Sequence, residues 1–115
     1  MTTRHVLVER ADGDGDGIVT ITLDNPERRN ALALDVMLEL TAALREVAAT
    51  SARGIILAAN GPVFSAGHDF ADMAGADLEQ ATHLFAVCTE MMDTVQTAPQ
   101  GVIARVHALA TAAGC

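Results

Sequence analysis

The chain has 115 residues, half of them hydrophobic and 3% aromatic, with 15 acidic against 7 basic side chains and a formal net charge of −8. That length fits one domain, and the acidic balance speaks against nucleic acid or an anionic membrane surface, since both want clustered Lys and Arg. No lysine occurs, so an anionic ligand has to be met by arginine or by backbone dipoles.

In chain order, residues 5–10 and 18–23 read as strands, the second alternating Ile18, Thr20 and Thr22 against Val19, Ile21 and Leu23. The Asp/Gly run between them predicts a hairpin, and Asp24-Asn25-Pro26 a turn. From Leu34 to Ala49 a wide apolar stripe through Leu34, Leu38, Thr41, Leu44 and Val47 predicts a helix. Residues 54–58 are strand and 61–70 loop. Leu78, Ala81, Phe85, Cys88, Met92 and Val95 recur at threes and fours in a second long helix, which Pro99 ends. A strand follows over 101–106, and a helix starts near residue 112. Strands alternating with helices give an α/β architecture.

The apolar surplus predicts that other subunits, or the rest of a longer chain, cover part of this surface. The two cysteines, Cys88 and Cys115, make no disulfide framework. No apolar run has the length of a signal h-region or a membrane span. A cytoplasmic protein with reduced thiols is therefore expected.

Phe64-Ser65-Ala66-Gly67-His68-Asp69-Phe70 carries the most chemistry. It follows the buried strand, turns at Gly67, and places Asp69 to cap a short helix. Such a turn frees the His68 amide to hold negative charge, and the small-residue run Ala110-Thr111-Ala112-Ala113-Gly114 offers a second amide. The basic pair Arg28-Arg29 sits between a strand and a helix, either as a solvated turn or as a clamp for a phosphorylated ligand.

Other patterns carry less. Asp12-Gly13-Asp14-Gly15-Asp16-Gly17 imitates a calcium loop, but the position for its bidentate Glu is Leu23 and both flanks are strands. A solvated turn is expected there. His5, His68, His83 and His107 share no metal-ligand spacing, so no metal site is expected. Met37, Met73, Met91 and Met92 read as core or contact filler.

Three of these stretches together resemble a known family. Leu23-Asp24-Asn25-Pro26-Glu27-Arg28-Arg29-Asn30-Ala31-Leu32 resembles the Asn-Pro…Asn-Ala-Leu signature of the enoyl-CoA hydratase/isomerase (crotonase) superfamily. The Phe64–Phe70 stretch resembles its Phe-Ser/Cys-Ala-Gly-x-Asp-Leu loop, and Val106–Cys115 its third, glycine-rich strand-to-helix turn. The resemblance implies a ClpP/crotonase spiral of ββα units, incomplete here. The 115 residues would be the N-terminal part of one core domain, without the C-terminal helices that build the assembly.

By that resemblance the amides of His68 and Ala113 form an oxyanion hole. The backbone around Ala66 and Gly67 meets the adenine of coenzyme A, Asp69 and Phe70 line the same loop, and Arg29, with Arg28, lies near the phosphates. The implied substrate is a coenzyme A thioester, with no permanently bound cofactor, in a homo-oligomer (trimer or hexamer). Hydration of a trans-2-enoyl-CoA is the favoured reaction, in which two N–H donors steady the enolate; losing one donor costs about 3–4 kcal/mol of transition-state stabilisation. Isomerisation, another acyl-CoA reaction on this fold, or a non-catalytic acyl-CoA-binding protein or inactive fragment are the alternatives, as is a domain whose small-residue loops serve packing only. The catalytic carboxylates are expected beyond Cys115, so hydration by these 115 residues alone is not. Where relatives have Gly-Gly this chain has Ala112-Ala113, and an alanine is strained wherever the turn needs a positive φ.

Overall fold

A computed structural model of the chain describes residues 4–10 and 17–115. Six strands and three α-helices run in the order β1 (Val6–Arg10), β2 (Ile18–Leu23), α1 (Leu34–Ala48), β3 (Gly54–Ala59), β4 (Val63–Ser65), α2 (Phe70–Met73), α3 (Leu78–Thr97), β5 (Gly101–Ala104) and β6 (Leu109–Ala110). Short 3-10 turns occupy Pro26–Arg28 and Ala112–Gly114.

The main sheet has the order β1-β2-β3-β5. β1 pairs antiparallel with β2, from Val6 opposite Leu23 to Arg10 opposite Val19, as the hairpin expectation requires. The Asp12–Asp16 run itself lies outside the described residues, and the calcium-like pattern with it. β2, β3 and β5 are parallel. Parallel neighbours need a crossover, and α1 and α3 supply the two.

Both helices bury one face on each other and on the sheet. Val19, Ile21 and Ile55 meet Val36, Met37, Leu44 and Val47 of α1 and Leu84, Val87 and Met91 of α3 in one apolar core. Asp77 starts α3 with a capping box, its carboxylate accepting from Gln80 N at 2.7 Å while Gln80 Oε1 accepts from Asp77 N at 3.0 Å. Among the described residues no helix is long and apolar enough to cross a membrane.

Four expectations shift. The 61–70 stretch is not all loop, because β4 pairs in parallel with β6 in a small second sheet. These strands have three and two residues, too few to show a period. The last strand of the main sheet stops at Ala104, with one more ladder bond from Arg105 N to Leu57 O at 2.8 Å. The helix near residue 112 is a single 3-10 turn. Finally, the phase of α3 is displaced: Leu84, Val87 and Met91 face the core, whereas Leu78 and Phe85 are exposed. Leu38 of α1 is exposed as well.

Candidate active site

The site starts from the segment after β2. Pro26, with its φ already fixed, opens the 3-10 turn, and Arg29 and Asn30 follow in the left-handed region at φ 54° and 51°. Asn is one of the few non-glycine residues that tolerates this conformation. Asn30 is buried and fully used. Its Oδ1 accepts from Asn25 N at 2.8 Å, and its Nδ2 donates to Asn60 O at 2.8 Å and Val63 O at 3.0 Å.

That segment is stitched to the loop after β4. Ser65 Oγ donates to Asn30 O at 2.9 Å, Ala66 N to Arg29 O at 3.1 Å and Leu32 N to Gly67 O at 2.7 Å. Asp69 then caps α2, its Oδ1 accepting from Ala71 N at 2.8 Å. Its other oxygen pairs with Arg28 Nη2. Asp69 is buried, and the guanidinium is about half exposed.

The third segment packs against the second. Thr111 N donates to Ser65 O at 3.1 Å. Gly67, at φ 88°, lies so close to the 111–113 turn that a Cβ on it would stand 3.0 Å from Ala112 Cβ and 3.2 Å from Ala113 N. A Cβ on Gly114 would stand 2.5 Å from Ser65 O. A side chain clashes outright at Gly114, and at Gly67 it is both crowded and strained by the positive φ. Ala112 adopts φ 50°, the strained conformation expected for an alanine in a turn of this kind.

Two N–H groups are left over. Among the described residues, no acceptor meets the N–H of His68 or of Ala113; the 3-10 turn uses Gly114 N to Thr111 O and Cys115 N to Ala112 O. The Gly67–His68 peptide is trans and its carbonyl is held by Leu32, so its N–H points away from Leu32. The His68 ring stands edge-on to Phe85, centroids 5.6 Å apart, with Nδ1 buried and unpartnered.

A cleft of about 390 Å³ is lined by Arg28, Arg29, Ala66, His68, Asp69 and Phe70 together with neighbouring residues. It gathers six of the eight residues singled out in the sequence. Gly67 is buried, and Ala113 packs against the apolar core rather than lining the cleft. Sequence reasoning gave no site role to Asn30, Ser65 or Gly114, although each stood in a quoted motif; an Asn between two turns was the available signal. A larger groove of about 810 Å³ between the ends of α1 and α3 holds Arg45 and Glu90, which pair with each other, and otherwise mostly small or hydroxyl residues. It contains none of the eight residues singled out in the sequence, so the smaller cleft is the better candidate. Among the described residues no three His, Cys, Asp or Glu lie together as a metal-ligand set.

Residues 13–115 match the model of the family described as enoyl-CoA hydratase/isomerase. The chain is 43% identical over 102 residues to the rat enoyl-CoA hydratase domain-containing protein 3, mitochondrial, covering 87% of this chain and 34% of that protein. It superposes on an enoyl-CoA hydratase from Mycobacterium smegmatis with a TM-score of 0.91 and 41% identity, over 98% of this chain and 44% of that one. For the human enoyl coenzyme A hydratase domain-containing protein 3 the values are 0.89 and 35%, over 97% and 44%. The chain spans about a third of the length of the curated relatives it matches first. The α/β fold is therefore the crotonase fold.

The cytoplasmic expectation is corrected here. Matched relatives from rat, mouse, zebrafish, human and Xenopus laevis all carry "mitochondrial" in their names. The absence of a secretory h-region in these residues carries no information on organelle import, which uses amphipathic Arg-rich segments. Reduced cysteines also do not separate the two compartments.

Proposed function

The chain belongs to the enoyl-CoA hydratase/isomerase family, and from that premise we propose that its cleft binds a coenzyme A thioester and steadies negative charge on the thioester oxygen. The N–H groups of His68 and Ala113 are the donors, and Arg29 meets the phosphates. One observation carries this reading: Gly67, at a positive φ, brings the His68 loop so close to the Ala112–Ala113 turn that a Cβ there would stand 3.0–3.2 Å from its atoms. Two unpaired amides from separate segments then lie on either side of one glycine.

The reaction we favour is hydration of a trans-2-enoyl-CoA. As water adds at Cβ it gives one proton to a general base and the double-bond electrons move onto the thioester oxygen; the enolate then collapses and takes a proton at Cα from a general acid. Fixed backbone dipoles stabilise that charge without reorganising. Proton transfer needs a positioned acid or base, a role the family resemblance gives to carboxylates. In this cleft Asp69 is committed to Arg28 and Ala71, and Glu27 is exposed at the rim. Hydration is thus proposed for a polypeptide as long as the relatives, and thioester binding for these residues. The homo-oligomer belongs to the same proposal, supported by the exposed apolar side chains Leu78, Ile103 and Leu109.

Calorimetric titration with coenzyme A tests the binding, with Arg29→Ala expected to weaken it about tenfold by removing a charge-assisted phosphate contact. Crotonyl-CoA turnover by the longer polypeptide tests the chemistry. Absence of any coenzyme A binding by the wild-type chain would refute the reading.

A further inference from the structure

Resting on the thioester reading above, we propose that Arg28 is a positioning residue: through Asp69 it fixes the loop that aims the His68 N–H, and it leaves phosphate contact to Arg29. The two arginines are adjacent in sequence and both line the cleft, but they differ in their partners. Arg28 Nη2 is bound to Asp69 Oδ2. The Asp69 carboxylate is 9% exposed, so drawing Arg28 away toward a ligand leaves a buried charge uncompensated, an expensive outcome. Among the described residues, Arg29 has no ion pair or side-chain hydrogen bond. It is exposed and lines the same cleft.

The pair sits where it controls the peptide that matters. Segment 28–32 grips segment 66–69 at three successive places: Ala66 N to Arg29 O at 3.1 Å, Leu32 N to Gly67 O at 2.7 Å, and the Arg28–Asp69 pair. The middle bond orients the Gly67–His68 peptide plane directly, because its carbonyl is the acceptor. The bond before it and the ion pair after it fix the two ends. Gly67 at φ 88° has no side chain to restrict it, so the loop depends on these tethers for its direction. Asp69 Oδ1 is simultaneously the cap of α2, which couples the ion pair to the backbone at residues 69–71. Loss of Arg28 therefore removes one of the tethers at residue 69, leaving the Leu32–His68 bridge and the Asp69 cap to hold that end, and shifts the His68 N–H with it.

The experiment compares three probes by calorimetry at one salt concentration: coenzyme A, acetoacetyl-CoA, and the S-butyl thioether of coenzyme A. The enolate of acetoacetyl-CoA places charge on the thioester oxygen, and the thioether has no such oxygen. Their affinity ratio reads the contacts made to the acyl oxygens, the thioester oxygen among them. Arg28→Gln is expected to lower that ratio about tenfold, the scale of a donor misplaced by a fraction of an ångström, while coenzyme A binds within about twofold of wild type. Arg28→Lys restores part of the ratio, because the charge opposite Asp69 returns without the planar fork. Arg29→Gln weakens all three probes in parallel.

Asp69→Asn provides the same test should Arg28→Gln not fold, since the amide oxygen keeps the cap on Ala71 and only the ion pair is lost. Parallel weakening of all three probes by Arg28→Gln, or parallel strengthening of all three by Asp69→Asn, which releases Arg28, would make Arg28 a phosphate ligand and overturn the proposal. An unchanged ratio also overturns it. A wild-type chain that binds coenzyme A without preferring acetoacetyl-CoA to the thioether refutes the oxyanion contact itself. A wild-type chain that binds none of the probes refutes the wider reading instead.

Discussion

Asn30 and Ser65, 35 residues apart in sequence, hold each other with both side chains about 1% exposed: the Ser65 hydroxyl donates to the Asn30 carbonyl at 2.9 Å. Around that bond the three motif segments become one body. Asn30 fastens the segment after β2 to the ends of β3 and β4, and Ser65 carries the hold onward to Thr111 and Gly114. The geometry of the cleft rests on this pair.

Asn30→Ala removes the partner of one backbone N–H and two carbonyls, and it puts alanine at a positive φ. Each buried group left unpaired costs about 1–3 kcal/mol. A net destabilisation of about 3 kcal/mol is expected in urea unfolding, with the slope of the transition unchanged. Asn30→Gly relieves the backbone and loses less.

Gly67→Ala and Gly114→Ala both put a methyl group where atoms already stand, but not with equal severity. At Gly114 the new Cβ meets Ser65 O at 2.5 Å, which is backbone at the buried end of β4; at Gly67 the nearest atom is Ala112 Cβ at 3.0 Å. Gly114→Ala is expected to lower the thermal midpoint more. Gly67→Ala, with its φ of 88°, is expected to weaken acyl-CoA binding at least about tenfold, since a displacement near 1 Å at such a site costs up to about a hundredfold.

Ala112→Gly should stabilise. Ala112 holds φ 50° with a Cβ that disfavours it, and the left-handed conformation costs an L-residue about 1–2 kcal/mol. Glycine's greater freedom in the unfolded chain offsets part of that gain. A rise of a few degrees in thermal midpoint is the expected result, read by calorimetry.

Burial pushes the Cys88 thiol above its ordinary pKa. The thiolate is the nucleophile, so Cys88 should be alkylated by iodoacetamide much more slowly than the exposed Cys115, as peptide mass mapping would reveal. The sign for stability follows. The folded state favours the neutral thiol, so Cys88 contributes nothing to pH dependence at neutral pH. As pH rises through the ordinary thiol range the unfolded chain ionises first and stability falls. Cys88→Ala should flatten that alkaline decline.

Much of the scaffold was legible because long elements repeat their pattern. β2 alternates over six residues, α1 carries a full apolar stripe, and Pro99 ends α3. Yet α3 has apolar rows on more than one face. Leu78, Phe85 and Met92 repeat at sevens, as do Leu84 and Met91, and periodicity alone does not say which row meets the sheet. Tertiary packing chose Leu84, Val87 and Met91. The site was legible through its motif spacing. What that spacing hid was pairing: nothing near Arg28 in sequence announces Asp69, which lies 41 residues away. The work of Asn30 was hidden for the same reason, because its partners are backbone groups of segments brought together only by folding.

The most direct measurement follows the backbone amide resonances of His68 and Ala113 by heteronuclear NMR during titration with acetoacetyl-CoA and, separately, with the S-butyl thioether of coenzyme A. Both amide protons should move downfield with the thioester and stay nearly still with the thioether, while resonances near Arg29 respond to either ligand. If only one of the two amides moves with the thioester, or both respond equally to the two ligands, they do not share one oxygen and the account is contradicted.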